Sequence, residues 1–164
     1  HALRLVDGLL AEQPDNPYLW ELKGQILFEF GRGKEAEAPQ RRSVALKPDA
    51  ALLRINLAQT LIGLGDKADV EEGVGELKRA LLNEGDNSVA WRLMAEAYDR
   101  LGQDGQARLA TAEAYFSLGA PEEAYVFARR AQDLLAKNTT EWRRASDIVL
   151  VSEPAARQQQ RKRG

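Results

Sequence analysis

The stretch that decides the fold is NPYLWELKGQILFEFGRGKEAEA, residues 16–38. It contains two segments with apolar or small residues at helical spacing, separated by Gly31, and a tryptophan, Trp20, early in the first segment. The tryptophan recurs, because Trp91 lies 71 residues after Trp20 and Trp142 lies 51 residues after Trp91. These separations equal 34 plus 37 residues and three half-repeats of 17, so the pattern predicts a helical hairpin repeated along the chain.

A period of about 34 residues with an early bulky aromatic is typical of the tetratricopeptide repeat (TPR), a pair of antiparallel helices. With the tryptophan as the fourth position, the eighth position should be small because the two helices cross closely there, and the twentieth faces it. Small residues occupy both places: Gly24, Ala58, Ala95, Ala112 and Ser146 at the eighth, and Ala2, Ala36, Gly73, Ala107 and Ala124 at the twentieth. The sequence therefore predicts an all-α fold, a right-handed TPR superhelix of about nine antiparallel helices with an irregular C-terminal cap.

The helix boundaries follow from the same alignment. Glycine follows a bulky apolar residue where four helices should end, and there it can adopt the left-handed conformation that satisfies free carbonyl groups: Gly31, Gly65, Gly102 and Gly119. The predicted helices span residues 1–12, 17–30, 33–46, 51–64, 69–84, 88–101, 104–118, 121–136 and 140–151. We expect a TPR domain at 1–152, divided into a half-repeat at 1–16, repeats at 17–50, 51–87 and 88–120, and a cap at 121–152, followed by a basic polar tail at 153–164.

Three places depart from a regular repeat. The repeat at 51–87 is three residues too long, and a longer loop at 66–70 is the expected accommodation. The helix at 104–118 fits as a second helix through Ala107 and as a first helix through Ala112, so the two helices after it should form a terminal cap. The stretch after residue 152 is polar, basic and rich in glutamine, which predicts a flexible tail.

Composition narrows the function classes. The formal net charge of −2 argues against a nucleic-acid binder, which usually carries a basic excess, although the basic tail leaves that as a minor alternative. Cysteine is absent, so no disulfide or thiolate chemistry is available. No apolar run approaches the roughly 18–20 residues that span a bilayer. The chain opens inside a helical pattern with no initiator methionine, which predicts a fragment of a longer protein.

Residues that could carry catalysis or hold a metal are scarce. His1 is the one histidine, whereas a zinc site needs about three or four suitable ligands. No nucleophile elbow or phosphate-binding loop is present. The sequence Asn138-Thr139-Thr140 matches a glycosylation sequon, but the preferred interpretation is a helix N-cap. The arginine pairs at 41–42, 129–130 and 143–144 are expected to be mostly solvated. We therefore predict no catalytic residue, no metal ligand and no cofactor in this chain.

Repeat geometry places the candidate binding residues. In a TPR stack the first helix of each repeat lines a concave groove through its second, fifth, ninth, twelfth and thirteenth positions, to which Asn56 is added as a match to the carboxylate-binding clamp of TPR cochaperones. The candidates are Tyr18, Glu21, Gln25, Phe28, Glu29, Leu52, Ile55, Asn56, Gln59, Ile62, Val89, Arg92, Glu96, Asp99 and Arg100. Because Glu21 stands where such a clamp needs a cation, an extended or helical segment with apolar anchors is the favoured ligand.

Several stretches also carry a family resemblance. Five sequences together resemble the C-terminal TPR half of BepA-like periplasmic zinc metalloproteases of Gram-negative bacteria: LVDGLLAEQPDNPYLWELKGQILFEFGR (5–32), LLRINLAQTLI (52–62), ELKRALLNEGDNSVAWRLMAEAY (76–98), ATAEAYFSLG (110–119) and FARRAQDLLAKNTTEWRRASDIV (127–149). The resemblance implies an N-terminal peptidase domain with an HExxH zinc motif in the parent protein, a periplasmic location, and quality control of outer-membrane proteins. None of the zinc ligands of that family has a counterpart in this chain.

These observations predict a protein-interaction scaffold. It would be the non-catalytic TPR half of a zinc metalloprotease, recruiting substrates or assembly partners, with its own peptidase domain as a further partner. The alternative is a free-standing TPR scaffold or cochaperone without a peptidase domain. Self-association of the chain through an uncovered end of the helical stack is a further expectation.

Overall fold

The computed structural model describes residues 1–164 and contains nine α-helices and no β-strand, as the repeat pattern predicted. The helices are α1 (Ala2–Glu12), α2 (Pro17–Glu29), α3 (Gly33–Leu46), α4 (Ala51–Leu64), α5 (Lys67–Asn83), α6 (Ser88–Arg100), α7 (Asp104–Ser117), α8 (Pro121–Leu134) and α9 (Thr140–Arg163). They form two compact units, unit 1 at His1–Gly85 and unit 2 at Asp86–Gly164.

In unit 1 every helix packs against its neighbour in the chain, and α2 also contacts α4. Helix α4 lies at the centre of this arrangement because α2, α3 and α5 all contact it. Its side chains Leu53, Leu57 and Leu61 are fully buried and form an apolar cluster with Val44 of α3. Apolar burial of this kind stabilises a leucine side chain by about 1.5–3 kcal/mol. This cluster is the apolar centre around which the helices of unit 1 assemble.

The close helix crossings predicted from small residues are present. Ala36, Ala58, Ala107, Ala112 and Ala124 each have no exposed surface. A small residue lets two helix backbones approach, and any larger side chain at such a place must displace its neighbour. The alignment of eighth and twentieth repeat positions is therefore confirmed at these five residues. Ala2, the first residue given for the twentieth position, is exposed.

The predicted helix ends are also confirmed. Gly31, Gly65, Gly102 and Gly119 all have positive φ angles, between 70° and 85°. Thr139 caps α9, because its side-chain oxygen accepts a hydrogen bond from the backbone N–H of Trp142 at 3.2 Å. The interpretation of residues 138–140 as a helix N-cap is therefore confirmed.

In two consecutive repeats the residue at the fourth position ties the first helix to the turn before it. Trp20 is half-buried and its indole N–H donates to the carbonyl oxygen of Pro14 at 2.7 Å. Arg54 holds the same position 34 residues later, and its Nε donates to the carbonyl oxygen of Pro48, also at 2.7 Å. An arginine therefore replaces the tryptophan with the same hydrogen bond. All three tryptophans are half-buried.

The surplus residues of the second repeat do not form a longer loop. Gly65 ends α4 in the left-handed conformation and Asp66 is extended, so α5 begins at once at Lys67 and reaches 17 residues. Val70 is 1% exposed. Burying this valine on a helix stabilises the chain more than exposing it in a loop would, which explains why the prediction of a loop at 66–70 is wrong.

The predicted flexible tail is also wrong, because α9 continues to Arg163. Ser152 and Ala156 are buried and extend the stripe begun by Ala145 and Ile148, at the three- and four-residue spacing of one helix face. Pro154 lies inside the helix on an exposed face, where its missing N–H costs one backbone hydrogen bond. Continued burial outweighs that loss.

Helix α7 packs both as the second helix of one repeat and as the first helix of the next, as its sequence suggested. It contacts α6 before it and both α8 and α9 after it. In unit 1 a helix contacts the next but one along the chain at α2 and α4. In unit 2 the corresponding contact is between α7 and α9, and α6 makes no contact with α8. The pairing of helices therefore shifts by one helix at α7. The cap at 121–152 stays a prediction.

We expect Gly24→Ala to lower the free energy of unfolding by about 1–3 kcal/mol, because the added Cβ would overlap Cγ of the buried Gln40 and lie 3.1 Å from its Cδ. Gly75→Ala is the matched control, since no atom lies within 4 Å of its added Cβ, and it should raise that free energy by about 0.5–1 kcal/mol through helix propensity alone. Urea unfolding measures both values. Equal effects would contradict the close crossing at Gly24.

A second prediction concerns the buried ion pair between α4 and α5. Arg54 donates to Glu76 at 2.7 Å, with their side chains 14% and 8% exposed. Arg54→Met should cost about 3 kcal/mol, because Glu76 would keep only the exposed Arg79, 3.1 Å away. Adding Glu76→Leu should recover most of the loss, since an apolar pair replaces a buried charge. Thermal and urea unfolding test this, and no recovery in the double variant would contradict it.

Candidate functional site

Two parallel rows of side chains in unit 1 form the candidate binding surface. Successive members of each row are three or four residues apart, so they project from one side of their helix. Asn56 connects the rows, because its amide Nδ2 donates to Oε1 of Glu21 at 2.8 Å. We call this surface the α2/α4 face, and it consists of Tyr18, Glu21 and Gln25 on α2 and Leu52, Asn56 and Gln59 on α4.

The charge on this side of α2 is negative. Partial burial raises the pKa of Glu21, and the hydrogen bond from Asn56 offsets only part of that rise. One turn further along, Gln25 donates to the carboxylate of the exposed Glu29 at 2.8 Å. Neither carboxylate forms an ion pair in the structure, and both have amide partners instead. An approaching cationic side chain would meet no competing positive charge from an existing ion pair.

The first side chain of each row is apolar and exposed. Tyr18 is 50% exposed and Leu52 is 57% exposed, although each stands at the start of a well-packed helix. The ammonium group of Lys47 lies 5.6 Å from the centre of the Tyr18 ring, a cation–π distance that helps to hold the ring in place. Exposed aromatic and aliphatic side chains beside polar groups are typical of the anchoring positions of protein interfaces.

Part of the predicted groove lies in the interior. Ile55 is 5% exposed and Ile62 is 1% exposed, so neither side chain lines a surface. The reason is the central place of α4, which is enclosed by three other helices and buries apolar residues around most of its circumference. Phe28 is half-buried beside Gly63 at the far end of the row. The prediction of Ile55 and Ile62 as groove residues is therefore wrong.

The candidates in unit 2 lie on α6. Val89, Arg92, Glu96, Asp99 and Arg100 are all exposed. Two of the acids have local partners, since Glu96 is 3.2 Å from Arg100 and Asp99 is 3.7 Å from Arg108 of α7. Exposed pairs of this kind contribute little to stability, about 0–1 kcal/mol each. Arg92 forms no hydrogen bond or ion pair, which leaves its guanidinium free for a ligand.

Sequence reasoning missed a charged pair that joins α7 to α9. Arg144 is exposed, as the sequence predicts, yet its Nη2 donates to Oε2 of the buried Glu113 at 2.9 Å and its Nε also bonds that carboxylate. The hydrogen bond that Arg144 donates to Glu113 raises the pKa of Arg144, and the guanidinium also lies 5.6 Å from the ring centre of Phe116. An acid within the run of small residues at 110–114 is the sequence signal that could have suggested the pair.

Two further observations concern metal sites and membrane crossing. No group of three or more His, Cys, Asp or Glu side chains is arranged to hold a metal ion. No helix combines the length and apolar character that crossing a membrane would require. What the structure offers is surface for recognition, in the α2/α4 face and on α6.

The comparison with protein families identifies the repeat. The model for the TPR domain of cytochrome c-type biogenesis protein H matches residues 2–125, which is most of the chain. The chain belongs to this TPR family. The match covers α1 to α7 and the first residues of α8, so the family assignment includes the whole of unit 1 and the α2/α4 face. A TPR domain of this kind is a protein-interaction scaffold.

Solved structures agree on the fold. The crystal structure of MamA matches with a TM-score of 0.66 at 15% identity, covering 97% of this chain and 89% of that chain. A thermophilic TPR protein of Thermus thermophilus, TTC0263, matches with a TM-score of 0.56 at 22% identity, covering 90% of this chain and 89% of that chain. At these identities the likeness concerns the fold. None of the curated proteins compared with the chain matches it significantly.

The raised pKa of Glu21 gives a prediction for stability against pH. In the folded chain the carboxyl holds its proton to higher pH than in the unfolded chain, so its contribution to stability is fully present below the unfolded pKa and is lost as pH rises through the folded pKa. Glu21→Gln, which keeps an acceptor for Asn56, should therefore be more stable than the natural chain at pH 7 and equally stable at pH 3. Glu29→Gln controls for the loss of one negative charge from the same helix. Urea unfolding at both pH values tests this, and a gain at pH 3 would contradict it.

Proposed function

We propose that this chain is the polypeptide-binding module of a protein that acts in cytochrome c-type biogenesis, and that its α2/α4 face contacts the bound polypeptide. The observation that carries the proposal is the exposure of Tyr18 and Leu52 at the start of the two rows, next to the hydrogen-bonded pair of Glu21 and Asn56. Membership of the cytochrome c-type biogenesis protein H TPR family supplies the biological setting.

The composition of the face suits a polypeptide better than a small metabolite. Amide side chains both donate and accept hydrogen bonds, so Gln25, Asn56 and Gln59 can bond the N–H and C=O groups of a peptide backbone. The two exposed apolar side chains at one end offer anchoring contacts. The carboxylates on α2 favour a segment that carries lysine or arginine. A haem-free cytochrome c polypeptide is the partner that this setting suggests.

The interpretation as half of a periplasmic zinc metalloprotease stays a prediction. It rests on the resemblance of residues 5–32, 52–62, 76–98, 110–119 and 127–149 to BepA-like proteins, and it requires a peptidase domain encoded before His1. The family that matches the chain is a different one by its description. The genomic sequence upstream of His1 distinguishes the proposals, because an HExxH motif preceded by a signal peptide would favour the protease and its absence would favour the biogenesis protein or a free-standing scaffold.

Binding of a haem-free cytochrome c polypeptide tests the proposed function. We expect Leu52→Asp to weaken binding by about tenfold or more, because it places a charge at an apolar anchor. Leu82→Asp is the matched control: Leu82 is 85% exposed on α5, away from the face, and its change should alter the dissociation constant less than about twofold. Isothermal titration calorimetry gives both constants, with circular dichroism to check folding. Equal effects of the two variants, or no binding by the natural chain, would contradict the proposal.

A further inference from the structure

Unit 2 contains a groove between α6 and α7 that the proposed function does not use. Its cavity has a volume of about 260 Å³. The wall from α6 includes Arg92 and Ala95, and the other wall includes Thr111, Ala114 and Tyr115 of α7 and Leu118, which caps its C-terminus. We call this surface the α6/α7 groove. Leu118 is 65% exposed and Tyr115 is half-buried, so an apolar area lies open to solvent there.

The same positions of the first full repeat are covered by a helix. Subtracting 71, the separation of Trp91 and Trp20, gives the counterparts Glu21, Gly24, Gln40, Ser43, Val44 and Lys47. Three of them, at 40, 43 and 44, are no more than 9% exposed. Helix α4 covers Val44, with Leu53 and Leu57 packed against it, and Asn56 of α4 is bonded to Glu21. In unit 1 a helix thus fills the place that corresponds to the α6/α7 groove.

The shift of pairing at α7 leaves this place open in unit 2. The helix that follows α7 is α8, which contacts α7 and α9 but makes no contact with α6. Ala124 of α8 meets Ala112 in the close crossing, and the Phe127 ring stacks on Tyr115 at 5.6 Å between centres. Helix α8 thus borders the groove at Tyr115 but does not reach α6. The surface of α6 and α7 that a following first helix would cover is consequently exposed.

Charge indicates the kind of segment that fits. Arg92 occupies the position of Glu21, whose carboxylate is bonded by the following helix in unit 1. In unit 2 no following helix supplies such a partner, and Arg92 has none. The nearby acids on α6, Glu96 and Asp99, are engaged by Arg100 and Arg108. A carboxylate on an incoming helix would meet an unpaired guanidinium at the edge of apolar surface, where a charged hydrogen bond is stronger than in water.

We propose that the α6/α7 groove binds an amphipathic α-helix of a partner polypeptide. An acidic side chain of that helix pairs with Arg92, and apolar side chains on the same face pack against Ala114, Tyr115 and Leu118. The bound helix takes the place relative to α6 and α7 that α4 takes relative to α2 and α3. This helix-in-groove mode uses different residues from the α2/α4 face, and it stands whether or not that face binds a polypeptide.

The probe for this groove is a peptide derived from α4 itself, the helix that occupies the corresponding place in unit 1. It comprises residues 49–66 with Asn56→Glu, Gln59→Lys and Gly63→Asp, blocked at both ends. The amine introduced at 59 and the carboxyl introduced at 63 are condensed to a lactam, because an isolated helix of this length is marginal in water. Backbone amide NMR of the full chain should show binding-dependent shifts at Thr111, Ala114 and Leu118. Absence of such shifts at millimolar peptide would overturn the proposal.

A charge exchange provides the decisive comparison. The substitution Arg92→Glu should weaken binding of the peptide with Asn56→Glu by about tenfold. The Arg92→Glu variant should instead prefer the peptide with Asn56→Lys, and loss of folding cannot produce such a reversal. Arg129→Glu, at an exposed position of α8 outside the groove wall, should leave binding within about twofold. Equal binding by the natural chain and the Arg92→Glu variant would overturn the proposal. Sedimentation is the last check, because self-association abolished by Arg92→Glu would show that a second copy of the chain, not a partner, fills the groove.

Discussion

The structure depends on close approach of helix backbones at residues without a large side chain. Where Ala58 and Gly73 meet, a Cβ added to the glycine would lie 3.0 Å from the Ile62 side chain and 3.4 Å from the carbonyl oxygen of Ala58. Such crossings allow Leu53, Leu57 and Leu61 of α4 to fill the space between four helices with no exposed surface or almost none. Because each crossing sets the distance and direction of the next helix, it also sets which side chains remain on the outer surface.

The same constraint explains the two surfaces of interest. In unit 1 the order of crossings brings α4 against α2, and the polar and apolar side chains on that side become the α2/α4 face. In unit 2 α7 carries two small crossing residues, Ala107 and Ala112, both with no exposed surface. One serves the pair with α6 and the other serves the pair with α8. A single helix that satisfies two partners leaves α6 without the helix that would otherwise cover it, and the α6/α7 groove results.

Charged side chains have two different roles in this protein. Arg54 and Arg144 are each bonded to a buried carboxylate, that of Glu76 and that of Glu113, and thereby join neighbouring helices. Removing one partner from such a pair leaves a buried charge uncompensated. Glu29 and Arg92 by contrast stand on exposed surface without an ion partner. Their charges are available to other molecules, which is why recognition in the two units should favour opposite charges in the partner.

The sequence by itself determined the helical class, the small residues at the crossings, the glycine helix ends and the dual pairing of α7, because these are local or periodic properties of the chain. Only the tertiary structure decided that Ile55 and Ile62 are interior, that residues 66–70 belong to a helix end, and that α9 continues past Pro154. Each of these depends on what packs against the residue from elsewhere in the chain, and periodicity along one helix does not contain that information. The hydrogen bond between Asn56 and Glu21, 35 residues apart, depends on it in the same way.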